Sequence, residues 1–123
     1  MQHLLLLLMA FGFTACREPQ KEKNLVTLSV RNVSTNSLRG VELVWEGPRI
    51  PVGVLFPGVD KTSVDVPWPN IDKGNISFID ASTRELYTLE ISFTAVNERV
   101  RAGRCGEIVI RILDTDKADA VCE

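Results

Sequence analysis

The sequence predicts an all-β domain, a single antiparallel two-sheet sandwich of about seven strands spanning residues 25–123. Three observations carry this expectation: apolar residues alternate with polar ones at period two in one run after another, turn-forming Gly, Pro, Asn and Asp separate the runs, and no stretch sustains a helical period. Seven short strands in roughly 90 residues are the pattern of two packed sheets.

The first run sets Val26, Leu28 and Val30 against Thr27, Ser29 and Arg31, and Asn32 to Ser37 supplies the turn. The second places Val41, Leu43 and Trp45 on one face, with Glu42 and Glu46 on the other. A third runs through Ile50, Val52, Val54 and Phe56 and stops at Pro57-Gly58, a pair suited to a type II turn because glycine accepts positive φ. Val64, Val66 and Trp68 form a fourth, read as an edge strand because Pro67 and Pro69 cannot donate ladder hydrogen bonds. Ile76 and Phe78 mark a short fifth after Asp72-Lys73-Gly74. The sixth is the clearest, with Tyr87, Leu89, Ile91 and Phe93 opposite Thr88, Glu90 and Ser92. The seventh sets Ile108, Ile110 and Ile112 opposite Val109, Arg111 and Leu113, so both faces are apolar, as a central strand requires. An immunoglobulin-like or fibronectin-like sandwich is expected, without a Cys...Trp...Cys framework across the sheets.

Ahead of this domain, the apolar run Leu4 to Phe13 is too short for the roughly 20 residues of a membrane-spanning helix and is followed by polar sequence from Arg17, so it reads as the core of a signal peptide. Its ending, Phe13-Thr14-Ala15-Cys16, resembles the lipobox of bacterial lipoproteins. That resemblance implies cleavage after residue 15, lipidation of Cys16, and a polar tether through residue 24. It further implies a membrane partner engaged through the N-terminal lipid, since two or three acyl chains hold where one binds only marginally. In that family an aspartate after the cysteine favours retention at the inner membrane; Arg17 stands there instead, which implies the outer membrane, facing the periplasm. The stretches Arg31-Asn32-Val33-Ser34, Gly53 to Gly58 and Asp60-Lys61-Thr62 are also similar to small bacterial lipoproteins with a sandwich domain.

Setting Cys16 aside leaves Cys105 and Cys122, an even pair in an exported chain, and a disulfide between them is the expectation. The pair lacks the C-x-x-C spacing of a redox site. Processing would leave 108 of the 123 residues, one domain of common size.

The sole histidine, His3, and both methionines, Met1 and Met9, lie in the part to be removed. The remaining chain has no Ser-His-Asp or Cys-His site, no usual zinc set and no His/Met copper ligation. No catalytic residue, metal or cofactor is assigned. The formal charge of −2 gives no basic surplus for nucleic acid. Asp114, Asp116 and Asp119 form a local acidic cluster that lacks the glycine and terminal glutamate of a calcium loop and reads as a solvated tail.

Arg99, Arg101 and Arg104 cluster in what reads as a loop, where guanidinium forks can meet carboxylates or phosphates. Trp68, on a Pro-interrupted edge, is the other candidate contact residue, with core packing as its alternative. The lipobox resemblance implies that two Asn-x-Ser sequons, at Asn32 and Asn75, are incidental.

The expected function is therefore that of a non-enzymatic, lipid-anchored binding or structural module that recognises a protein or envelope component. An inhibitor or immunity-type lipoprotein using Gly53–Lys61 or Asn97–Arg104 is the alternative. A carboxylate-dependent hydrolase is a third.

Overall fold

The computed structural model describes residues 24–45 and 49–123. The signal peptide, Cys16, the tether through residue 23 and Glu46 lie outside the described residues. Among the described residues, eight strands form two four-stranded sheets: β1 (Asn24–Asn32), β2 (Leu38–Val44), β3 (Arg49–Leu55), β4 (Asp60–Trp68), β5 (Lys73–Asp80), β6 (Leu86–Ser92), β7 (Ile108–Asp114) and β8 (Lys117–Cys122), with one helix, α1 (Thr94–Arg101), before β7. The first sheet has the order β4-β1-β7-β8 and the second β3-β2-β5-β6.

The β1→β2 and β3→β4 crossovers lie at one end of the sandwich, together with the β5–β6 and β7–β8 turns. At the opposite end β1 begins, β4 passes to β5, and α1 carries the chain from β6 into β7. Hereafter these are the distal and proximal ends.

Three expectations are corrected. The strand count is eight, because β8 is built from Lys117-Ala118-Asp119-Ala120-Val121-Cys122, whose inward positions Ala118, Ala120 and Cys122 are too small to announce a strand. Sheet pairing is not wholly antiparallel: α1 delivers β7 to the proximal end where β1 also starts, so Leu28 to Asn32 run parallel to Ile108 to Ile112. The Arg99–Arg104 region is not simply a loop, since α1 covers Thr94 to Arg101.

A fourth correction concerns the face of β3. Residues Val54 and Phe56, expected inside with Ile50 and Val52, are exposed, and Leu55 is fully buried instead. The register against β2 shifts on both sides of the Val41–Gly53 pair, where Gly53 takes φ +91 and Gly40 takes φ +57. A one-residue slip in a period-two element turns every following side chain to the other face.

Other readings match the structure. Val41, Leu43 and Trp45 all face the core, β7 is central with Ile108 to Ile110 buried, and β4 is an edge. On β4 the pairing slips between Val66 and Ser63, where Asp65 adopts φ +54. Such a bulge bends an edge strand away from further pairing.

The proximal half of the core is aromatic. Trp45, Trp68 and Phe93 meet edge to face, with centroids 5.2 Å (Trp45–Trp68), 4.9 Å (Trp68–Phe93) and 6.2 Å (Trp45–Phe93) apart. Such contacts add about 0.5–1.5 kcal/mol beyond area burial. Gly74 lets the Phe93 ring in: a Cβ there would stand 2.7 Å from it. The Trp68 indole donates to Asn97 Oδ1 at 2.7 Å, and the Asn97 amide donates to the Ile71 carbonyl at 2.7 Å. These two bonds tie α1 to the β4–β5 connection, while Val96 and Val100 supply its apolar stripe. Gly103, at φ +70, ends the helix by accepting the left-handed conformation that other residues resist.

Candidate functional site

At the distal end Asn32 closes β1 as a buried hub. Its side-chain amide donates to the carbonyls of Asn36 at 2.8 Å and Leu55 at 3.0 Å. Its Oδ1 accepts from the Ser34 backbone N–H at 3.0 Å and the Ser34 hydroxyl at 2.6 Å. The Asn32 backbone donates to Val59 O at 3.0 Å and accepts from Gly58 N–H at 2.7 Å. One residue therefore fixes both the β1–β2 and the β3–β4 crossovers.

The second hub is Asp80, at the end of β5. Its Oδ2 accepts from the Asn36 amide at 3.0 Å, and its Oδ1 accepts the Ser82 hydroxyl at 2.7 Å and the Ser82 N–H at 2.8 Å. Hydrogen bonds from Ser82, then from Asn36 and the Thr83 backbone, hold the Asp80 carboxyl below its usual range against the opposing effect of desolvation. The Ala81 N–H donates to Ser37 O at 3.0 Å, so the β5–β6 turn joins the same assembly.

What these bonds hold up is apolar. The turn Phe56-Pro57-Gly58-Val59 is closed by Val59 N–H donating to Phe56 O at 3.1 Å, with Gly58 at φ +79, the type II geometry. It presents Phe56 at 60% exposure and Val59 at 42%, and Val33, which follows the Asn32 that holds the turn, is 48% exposed. Three sizeable apolar side chains on loops locked by buried polar groups form a preorganised contact surface, which loses little ordering entropy on binding. The sequence offered Gly53–Lys61, which contains Phe56 and Val59, as a contact loop, but not the buried polar groups beneath it, because Asn32 and Ser34 read as ordinary turn residues and Asp80 carries no distinguishing signal.

Of the contact residues expected from the sequence, Trp68 is only 5% exposed and sits in the aromatic core. Arg99, Arg101 and Arg104 are exposed and gathered at the proximal end, with Arg99 donating to Arg104 O at 3.1 Å and Arg101 to Asn70 Oδ1 at 3.0 Å. Cys105 and Cys122 stand at disulfide distance, with Cα atoms 5.2 Å apart. Asp119 is not part of a solvated tail: it receives both Arg111 Nε at 2.8 Å and a terminal guanidinium nitrogen at 2.6 Å, and this raises the Arg111 pKa. Asp114 instead accepts the Thr115 N–H at 2.8 Å. Among the described residues no three His, Cys, Asp or Glu side chains are grouped to hold a metal.

On the outer face of the first sheet, Ser29 bonds Thr62 Oγ1 at 2.6 Å and donates to Glu107, while Arg31 bridges Asp60 at 3.3 Å and Glu123 at 3.1 Å. These contacts knit β1, β4 and the chain end across the sheet. A cleft of about 260 Å³ opens between β3 and β4 over Leu28 and Val30. Lys61 spans its mouth by donating to Val52 O at 2.9 Å, and the lining contains no carboxylate.

No protein-family model matches the chain, and no curated protein matches it. Among solved structures, the NMR structure of a protein from Eubacterium rectale is similar to it with a TM-score of 0.47 and 10% identity, covering 80% of this chain and 87% of that one. A similarity of this degree bears on neither fold family nor function.

Proposed function

We propose that this chain is a lipid-anchored binding module of the bacterial cell envelope, held through Cys16 at the outer membrane on its periplasmic side, whose distal end engages a protein partner without catalysis. The observation that carries the reading is the exposure of Phe56, Val59 and Val33 on crossovers fixed by Asn32. Loops fastened to a rigid sandwich are where binding residues concentrate, and buried aromatic anchors dominate interface energies once covered. The placement suits an anchored protein: β1 begins at the proximal end, so the distal platform points away from the tether.

Two sheets joined by crossovers support the immunoglobulin- or fibronectin-like reading of the sandwich. An inhibitor-type lipoprotein is the second reading, favoured because Phe56 and Val59 lie within Gly53–Lys61.

Labelled palmitate tests the anchor: incorporation abolished by Cys16→Ser supports it, and an unlabelled wild type contradicts it. The platform is tested by the double variant Phe56→Ser/Val59→Ser, which should leave stability within about 0.5 kcal/mol while abolishing capture of a partner that the wild type recovers at fixed stoichiometry. Equal capture by both proteins contradicts the platform.

A further inference from the structure

We propose that Arg99, Arg101 and Arg104 form a second contact surface, one that docks the proximal end of the domain onto an anionic phospholipid bilayer. The proposal rests on the reading of Cys16 as the anchor, and its geometry comes from the fold. Asn24, the first residue of β1, pairs with Trp68, and Asn70, two residues further along, accepts the Arg101 guanidinium at 3.0 Å. The tether therefore leaves the sandwich beside the arginines. From Cys16 to Asn24 the chain spans at most about 29 Å when fully extended, and roughly 16 Å as a coil. An anchor at Cys16 thus keeps this end near the headgroups.

The charge fits that surface. None of the three arginines forms an ion pair among the described residues, a property they share with Arg39, Lys61, Arg84 and Lys117, whereas Arg31, Arg49, Lys73 and Arg111 are paired. From Thr94 to Gly106, three arginines face one acid, Glu98, giving a net charge of +2 in a chain whose total is −2. The other acids at this end are Asp72 on the β4–β5 connection, Glu107, whose carboxylate accepts from Ser29, and Glu123, whose carboxylate pairs with Arg31. Guanidinium forks match phosphate geometry, and the attraction reaches about one Debye length, ~10 Å at 0.1 M salt.

The test is sedimentation of the full-length chain with vesicles of phosphatidylcholine alone or mixed equally with phosphatidylglycerol. The apolar stretch Leu4 to Phe13 binds both alike, so the difference between them reads the charge. Each basic residue near such a surface contributes about fivefold, so Arg99→Gln/Arg101→Gln/Arg104→Gln should lower the anionic preference about 100-fold. The corresponding triple lysine variant should retain most of it. Salt near 1 M, where the Debye length is about 3 Å, should abolish it.

Equal wild-type binding to both vesicles overturns the proposal, as does a glutamine variant with the wild-type preference, which would assign the effect to the tether's own Arg17, Lys21 and Lys23. Palmitate labelling of Cys16 is scored on its own. Failure of the anchor and failure of the docking surface are thereby told apart.

Discussion

The side-chain amide of Asn36 donates to Oδ2 of Asp80 at 3.0 Å, joining loops 44 residues apart in sequence. Through this contact the two hubs of the distal end act as one, since Asn32 holds the Asn36 carbonyl and Asp80 holds the β5–β6 turn.

Asp80 makes the assembly sensitive to acid. Its folded pKa lies below the ordinary 3.8, so its contribution to stability is complete above the unfolded value and is lost as pH falls through the folded one. Melting temperatures measured downward from pH 5 should therefore drop more steeply for the wild type than for Asp80→Asn, which cannot ionise. Parallel curves would show that the carboxylate is not the group responsible.

Asn32→Ala should cost about 2–4 kcal/mol, because it removes the side-chain donor to the Leu55 carbonyl, leaves the Asn36 carbonyl only the Ser34 hydroxyl, and takes the acceptor from Ser34, each lost partner costing about 1–3 kcal/mol. Chemical denaturation measures this. Hydrogen exchange at Val33 and Gly58 should quicken in the same variant, and unchanged protection there would contradict Asn32 as the fastener of both crossovers.

At the proximal end, Asn97→Ala leaves the Trp68 indole N–H and the Ile71 carbonyl without partners, for an expected loss of about 2–4 kcal/mol. Asn97→Asp keeps the acceptor for Trp68 but sets a buried carboxyl against the Ile71 carbonyl, so its stability should fall as pH rises and the carboxyl ionises, a dependence that Asn97→Ala should lack. Gly74→Ala drives a methyl into the Phe93 ring and should cost about 1–3 kcal/mol by overpacking.

Cys105 and Cys122 are 17 positions apart in sequence, and closing a loop of that length contributes about 3 kcal/mol in the chain-entropy treatment. Intact mass under non-reducing conditions should be two hydrogens below the reduced mass, and Cys122→Ser should lower stability by about that amount. Two alkylatable thiols in the protein purified without reductant would refute the bridge.

Much of this architecture was legible in the sequence wherever large apolar residues alternate without interruption. Val41, Leu43 and Trp45 announced the inner face of β2, and the doubly apolar β7 announced a central position. Pro67 and Pro69 announced the β4 edge. The signal failed where backbone conformation or small side chains decide. Gly40 and Gly53 allow the register shifts that reverse β3, and periodicity alone carries no trace of a shift. The alanines of β8 bury too little to stand out. Helix α1, eight residues long with no side-chain N-cap, is shorter than the window in which a 3.6-residue period can be read. At the candidate site, polar turn residues look alike in sequence whether they face water or, like Asn32 and Asp80, are buried hubs.

The central claim is that the distal platform, rather than exposed apolar surface in general, meets a partner. Phe56 at 60% exposure and Val64 at 70%, the latter on the edge strand β4, allow a matched comparison. A photo-crosslinking residue placed at either position in the full-length protein, expressed in its native cells, tests the claim directly. The account predicts one discrete adduct from position 56 and none of comparable yield from position 64. Equal adducts from both positions, or none from position 56, would contradict it.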